Sequence, residues 1–159
     1  ESLGRDVGDH EVSRTSPLPD QRSRTFTKPA QDGAPRHCTG IPGGTASGAQ
    51  EVPAVTTPGT GMVSGTYNSS TNVLNYNISW ANVKAVPTMM HFHGPAMPGE
   101  NAPPIITITP FTQAVAGTAS GTANLTEAQE ADMLAGKWYY NLHTSMHTGG
   151  EIRAQVAAQ

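Results

Sequence analysis

The sequence predicts an all-β fold: an antiparallel Greek-key sandwich or barrel with one short helix. Three observations lead there. Residues 73–80 (VLNYNISW) alternate strictly, with Leu74, Tyr76, Ile78 and Trp80 set against Val73, Asn75, Asn77 and Ser79. That is the two-residue period of a half-buried strand. The 159-residue chain contains 17 Gly and 13 Pro, and this density of turn formers favours short strands over long helices. Only one segment carries a helix start, the capping box Thr126-Glu127-Ala128-Gln129.

The elements follow in order along the chain. Residues 49–56 (AQEVPAVT) read as a first strand, confined to an edge or a bulge by Pro53. Residues 61–67 (GMVSGTY) form a second. The turn Asn68-Ser69-Ser70-Thr71-Asn72 leads as a hairpin into 73–80. Residues 88–93 (TMMHFH) alternate again, with Met90 and Phe92 on one face and Met89, His91 and His93 on the other. The Gly- and Pro-dense stretch 94–104 is a loop. Residues 105–109 (IITIT) are β-branched and strand-like, and 117–125 is a strand of small residues. A helix is expected near 126–135, stopped by Gly136. Residues 137–143 (KWYYNLH) put Trp138, Tyr140 and Leu142 on one face and Tyr139, Asn141 and His143 on the other. After Thr148-Gly149-Gly150, Ile152, Ala154 and Val156 face inward from a last strand.

Charge divides the chain. Residues 1–40 hold 12 charged side chains, the remaining 119 residues only 9, and 1–40 include just eight apolar residues. Such a segment buries too little surface to offset its ordering entropy. Residues 1–40 are therefore read as an extended tail or arm and 41–159 as the domain. The arm, kept extended by Pro17, Pro19, Pro29 and Pro35, is a candidate for linking subunits into a homo-oligomer or filament. Cys38 falls in this tail and, as the only cysteine, forms no internal disulfide. A net charge of −3 with 13% charged residues gives no electrostatic footprint for nucleic acid. No apolar run is long enough for a transmembrane helix.

The histidines carry the chemistry. His91 and His93 sit at i and i+2 of one strand, where side chains share a face and can converge on one ion. His143, at the end of another strand, supplies a third ligand if the two strands are neighbours. His147, four residues on, is a candidate fourth. Met89, Met90, Met97 and Met146 flank these positions, with Met89 on the face of His91 and His93. Thioether with imidazole suits a copper ion, and imidazole alone suits zinc as the alternative. Glu100 and Glu151 are candidates to receive a ligand's other ring N–H. Read blandly, Glu151 and Arg153 form a surface ion pair. No nucleophile elbow, phosphate loop or cysteine-based zinc motif is present, so no catalytic residue is assigned. Triplets for N-linked glycosylation begin at Asn68, Asn77 and Asn124. Asn-rich strands produce such triplets by chance, and the sequence alone gives them no weight.

Three segments together resemble the CHRD domain, a module named after its occurrence in chordin. They are Ala49-Gln50-Glu51-Val52-Pro53, His91-Phe92-His93-Gly94-Pro95-Ala96, and Tyr140-Asn141-Leu142-His143-Thr144 continuing to Gly149-Gly150-Glu151-Ile152-Arg153-Ala154-Gln155-Val156. The resemblance spans about residues 45–157. Thr148 and Ala154 depart from the family's more usual Pro and Gly, and His147 has no counterpart in its pattern. The resemblance implies a secreted, periplasmic or extracellular protein. The layout is also similar to that of copper/zinc superoxide dismutases, although the bridging His-Asp loop and paired cysteines of those enzymes are missing here. Three functions compete: a metal-binding module, a structural or self-assembly module, and a dismutase-like copper enzyme.

Overall fold

The computed structural model describes residues 38–156, and within them the alternation seen in the sequence becomes one antiparallel sheet of eight strands. The strands are β1 (Cys38–Ser47), β2 (Thr60–Asn68), β3 (Val73–Ala81), β4 (Pro87–His93), β5 (Pro104–Thr107), β6 (Gly117–Asn124), β7 (Trp138–Thr144) and β8 (Ile152–Val156). The helix α1 (Glu127–Leu134) joins β6 to β7. Strand order is β5-β4-β7-β8-β1-β2-β3-β6. An isolated bridge from Phe111, just after β5, to Ala119 of β6 brings the two ends of the sheet together. The sheet thus curls into a nearly closed barrel. Around it β7 lies beside β4 and β6 beside β3, the returns of a Greek key.

Every residue expected to face inward does so. Leu74, Tyr76, Ile78, Trp80, Met90, Phe92, Trp138, Tyr140, Leu142, Ile152 and Val156 are all buried. Phe92 is the hub. Its ring meets Tyr76 of the opposite wall edge-on at 5.3 Å and lies 6.1 Å from Trp138 and 6.3 Å from Tyr140. Helix α1 starts as its sequence predicts. Thr126 Oγ accepts from the Gln129 amide at 3.2 Å, and Gln129 Oε1 accepts from the Thr126 amide at 2.9 Å. Its only fully buried side chain is Met133.

Two expectations need correction. Residues 49–56 are not a strand. Gly48–Gln50 form a single 3-10 turn, the Glu51 and Val55 amides both donate to the Gly48 carbonyl, and the chain continues as a loop. The first strand lies earlier, at Cys38–Ser47, paired with β2 from Cys38↔Asn68 to Ser47↔Thr60. Its sequence, CTGIPGGTAS, is too rich in small residues to show a hydrophobic period. Cys38–Gly40 of the expected tail therefore open β1, and the rest of the proposed arm lies outside the described residues. Among the described residues no helix is long and apolar enough to cross a membrane.

Leu142 is fully buried at the centre of β7. Leu142→Ala should lower stability by roughly 2–5 kcal/mol, the range for a core leucine, read as a shift in the urea midpoint. A change under about 1 kcal/mol would contradict this packing.

Candidate metal centre

Strands β4 and β7 run antiparallel in the register Met89↔His143, His91↔Asn141 and His93↔Tyr139. With Met90, Phe92, Tyr140 and Leu142 turned into the core, the intervening residues must emerge on the outer face. Three imidazoles meet there. His91, His93 and His143 each place one ring nitrogen within 4.8 Å of the other two.

Hydrogen bonds set the rings' tautomers. His93 Nδ1–H donates to the Ala102 carbonyl at 2.9 Å, and His143 Nδ1–H donates to the Thr148 carbonyl at 2.9 Å. A carbonyl can only accept, so in each neutral ring Nε2 keeps its lone pair. His143 Nε2 lies 3.3 Å from His91 Nδ1. Two nitrogens each about 2.0–2.1 Å from one tetrahedral ion are about 3.3 Å apart, so the pair already has the spacing of two ligands. Without an ion the same contact is a hydrogen bond donated by His91. Burial holds all three rings below the ordinary imidazole value. Repulsion from the neighbouring rings adds to this for His91 and His93, and Arg153 adds to it for His93. The cluster is neutral near pH 7, as ligation requires.

Two loops cover much of this outer face, and nothing in the strand alternation announces them. Arg153 and Glu151 are fully buried rather than a surface pair. Arg153 lies 3.4 Å above the centroid of Tyr139 and donates to Asn101 Oδ1 at 3.1 Å and the Glu100 carbonyl at 2.6 Å. It therefore pins the 94–104 loop, whose Ala102 carbonyl orients His93. The other neighbour of Tyr139 is His93 itself, stacked at 4.7 Å with 4° between the planes. Gly94 lets the loop turn at once: a Cβ there would stand 2.7 Å from the Trp138 ring.

The remaining candidates fall elsewhere. The Glu151 carboxylate accepts from the Thr57 hydroxyl (2.5 Å), the Lys84 amide (2.7 Å) and the Thr144 hydroxyl (2.7 Å). Burial alone would raise it, but these bonds hold it below the usual carboxylate range. It ties three chain segments together and does not receive a histidine N–H. Glu100 accepts from the Met97 amide within its own loop at 3.0 Å. The His147 backbone pairs with Thr144, and its Nε2 is buried without a partner among the described residues. The cluster of three does not include it. Met89 is half exposed, opposite His143 in the register.

Sequence reasoning overlooked Asn141 and Glu51. Asn141 Oδ1 lies 3.1 Å from His93 Nε2, beside the expected ligand atom. Its place between Tyr139 and His143 in the alternation was the available signal. Burial pushes the Glu51 carboxyl up to about 7, against the pull of Arg153 and Asn141. Gly150, at φ +129°, admits both: a Cβ there would lie 2.5 Å from Asn141 Nδ2 and from Glu51 Oε1.

These residues come from the same short stretches that carry the resemblance, and the family model for the CHRD domain matches residues 44–156. The chain belongs to the CHRD domain family. The match takes in β2 to β8 with the end of β1 from Gly44 to Ser47, and every residue of the histidine cluster. Comparison with curated proteins and with solved structures returns no match.

The neutral cluster makes the metal-free domain sensitive to acid. The unfolded chain takes up protons near pH 6.5, before the folded rings do, so stability should fall as pH drops below about 6.5. Glu51 acts in the opposite sense. Its contribution is complete below about pH 4.5 and is lost as pH rises through about 7. Glu51→Gln should therefore steepen the rise in stability between about pH 5 and 6.5, by up to about 1.4 kcal/mol per pH unit. His93→Gln should flatten it. Urea midpoints across pH 5–8 check both, and identical slopes in all three proteins would contradict this electrostatic account.

Proposed function

We propose that this CHRD domain is an extracytoplasmic metal-binding module that holds one copper ion through His91, His93 and His143. Zinc is the alternative ion for the same ligands. The observation that carries the reading is the approach of three ring nitrogens to within 4.8 Å, two of the rings held through Nδ1 by backbone carbonyls so that Nε2 is the ligand atom. Three neutral imidazoles suit either ion, and the thioether of Met89 opposite His143 favours copper. His91 is only half-buried, so the cluster opens to solvent on its side and leaves room for a further ligand. Bound copper would supply one-electron chemistry there. The chain's own part is to hold and orient the rings, keep them unprotonated and exclude water from behind them. The extracytoplasmic placement rests on the family resemblance.

Titration of the metal-free protein with Cu(II) or Zn(II) should reach one equivalent. His91→Ala or His143→Ala should abolish stoichiometric binding while the domain stays folded by circular dichroism. Affinity should hold down to a pH below the ordinary imidazole value and then fall as the rings protonate. Unchanged binding by His91→Ala would overturn the site. Superoxide turnover by the loaded protein would move the reading to the dismutase-like alternative, and absence of stoichiometric binding would move it to the structural one.

A further inference from the structure

The wall of the barrel away from the histidines has an unusual surface. Strands β2, β3 and β6 contain no Asp, Glu, Lys, Arg or His. Their outward residues line up across the register in four rows: Met62–Ser79–Thr118, Ser64–Asn77–Ser120, Thr66–Asn75–Thr122 and Asn68–Val73–Asn124. Hydroxyls and amides fill ten of these twelve positions. An outer face that runs out to an edge strand usually carries charge, which keeps it soluble and deters pairing with another edge. Here β6 is that edge, met among the described residues by Phe111 and Thr112 only at Ala119 and Thr118, and its strand carries no charge.

The same face collects all three glycosylation triplets. Asn68-Ser69-Ser70, Asn77-Ile78-Ser79 and Asn124-Leu125-Thr126 fit the acceptor pattern. Strand parity turns all three asparagines outward, alongside Thr66, Asn75 and Thr122 and away from buried Tyr67, Ile78 and Ala119. Asn77 and Asn124 are exposed and Asn68 half-buried. None of the other five asparagines begins a triplet, and Asn141 is committed to the histidine cluster. Among the described residues the acceptor nitrogens make no hydrogen bond. Asn68 uses Oδ1, accepting from the Ser70 and Thr71 amides at 2.9 and 3.3 Å, and the side chains of Asn77 and Asn124 make no hydrogen bond among the described residues. A sugar on Nδ2 would leave the Asn68 turn intact. Thr126 has a separate structural reason in the helix cap. The argument therefore rests more on Asn68 and Asn77.

We propose that Asn68, Asn77 and Asn124 carry N-linked glycans, which cover the uncharged outer face of β2, β3 and β6 and shield the β6 edge. The inference shares the extracytoplasmic placement of the proposed function and is independent of its metal. The sugar donor is a lipid-linked oligosaccharyl diphosphate. The amide nitrogen bonds to the anomeric carbon, the bond from that carbon to the diphosphate oxygen breaks, and the amide proton leaves with the lipid diphosphate. Transfer to the extended chain before folding makes a mid-strand position such as Asn77 accessible.

The test is peptide mapping by mass spectrometry of the full chain recovered from its source organism, before and after treatment with peptide-N-glycosidase. The expected result is loss of glycan mass with conversion of Asn to Asp at two or three of the positions 68, 77 and 124. Unmodified asparagine at two or more of them overturns the proposal. Enzymatic removal of the glycans from the folded protein should raise its light scattering with concentration, and unchanged scattering overturns the shielding role. Copper binding should be the same before and after removal, so the outcome is separate from that of the metal titration.

Discussion

The register between β4 and β7 is the constraint on which the rest depends. One alternation assigns Met90, Phe92, Tyr140 and Leu142 to the core and His91, His93, Asn141 and His143 to the outer face. A slip of one residue would expose the aromatic hub and bury the imidazoles among apolar side chains. The apolar packing that fixes the register therefore also fixes the ligand geometry, and the site needs no separate scaffold. Phe92 illustrates the coupling: its ring contacts three aromatic neighbours while its backbone holds His91 and His93 on the same outer face.

The second requirement is a cover. An outer sheet face is ordinarily wet, and wet imidazoles titrate near 6.5 and adopt either tautomer. Here β8 sends Arg153 and Gln155 outward to hold the 94–104 loop, Gln155 donating to the Ala96 carbonyl at 2.9 Å. Glu151 anchors the loop that follows Glu51 through Thr57. The stack of Arg153, Tyr139 and His93 links this cover to a ligand ring. The family's Glu-Val-Pro, His-x-His-Gly and Gly-Gly-Glu-Ile-Arg segments, distant in sequence, are thus parts of one arrangement around the outer faces of β4, β7 and β8.

What the sequence revealed and what it concealed have physical causes. Alternation exposed β3, β4, β7 and β8 because their inward residues are large and apolar, and the capping box exposed α1. Strand β1 was illegible because Gly43, Gly44 and Thr45 leave no period, and it is held by pairing to β2 and β8. The His91, His93 and His143 set was readable from spacing, given that β4 and β7 are neighbours. The roles of Glu51, Glu151 and Arg153 were not. Glu151 and Arg153 lie at positions that parity alone would assign to solvent, Glu51 lies in a loop, which has no periodicity, and only the packing of the loops buries all three. Asn141 was hidden for a related reason: an asparagine on an outward position looks like ordinary surface until a histidine from the neighbouring strand stands beside it.

X-ray absorption at the copper edge of the loaded domain tests the central claim most directly. The account predicts three imidazole nitrogens at about 2.0–2.1 Å from the ion, with one imidazole lost from the spectrum in His93→Gln. A spectrum with at most one imidazole, or one that His93→Gln leaves unchanged, would contradict it.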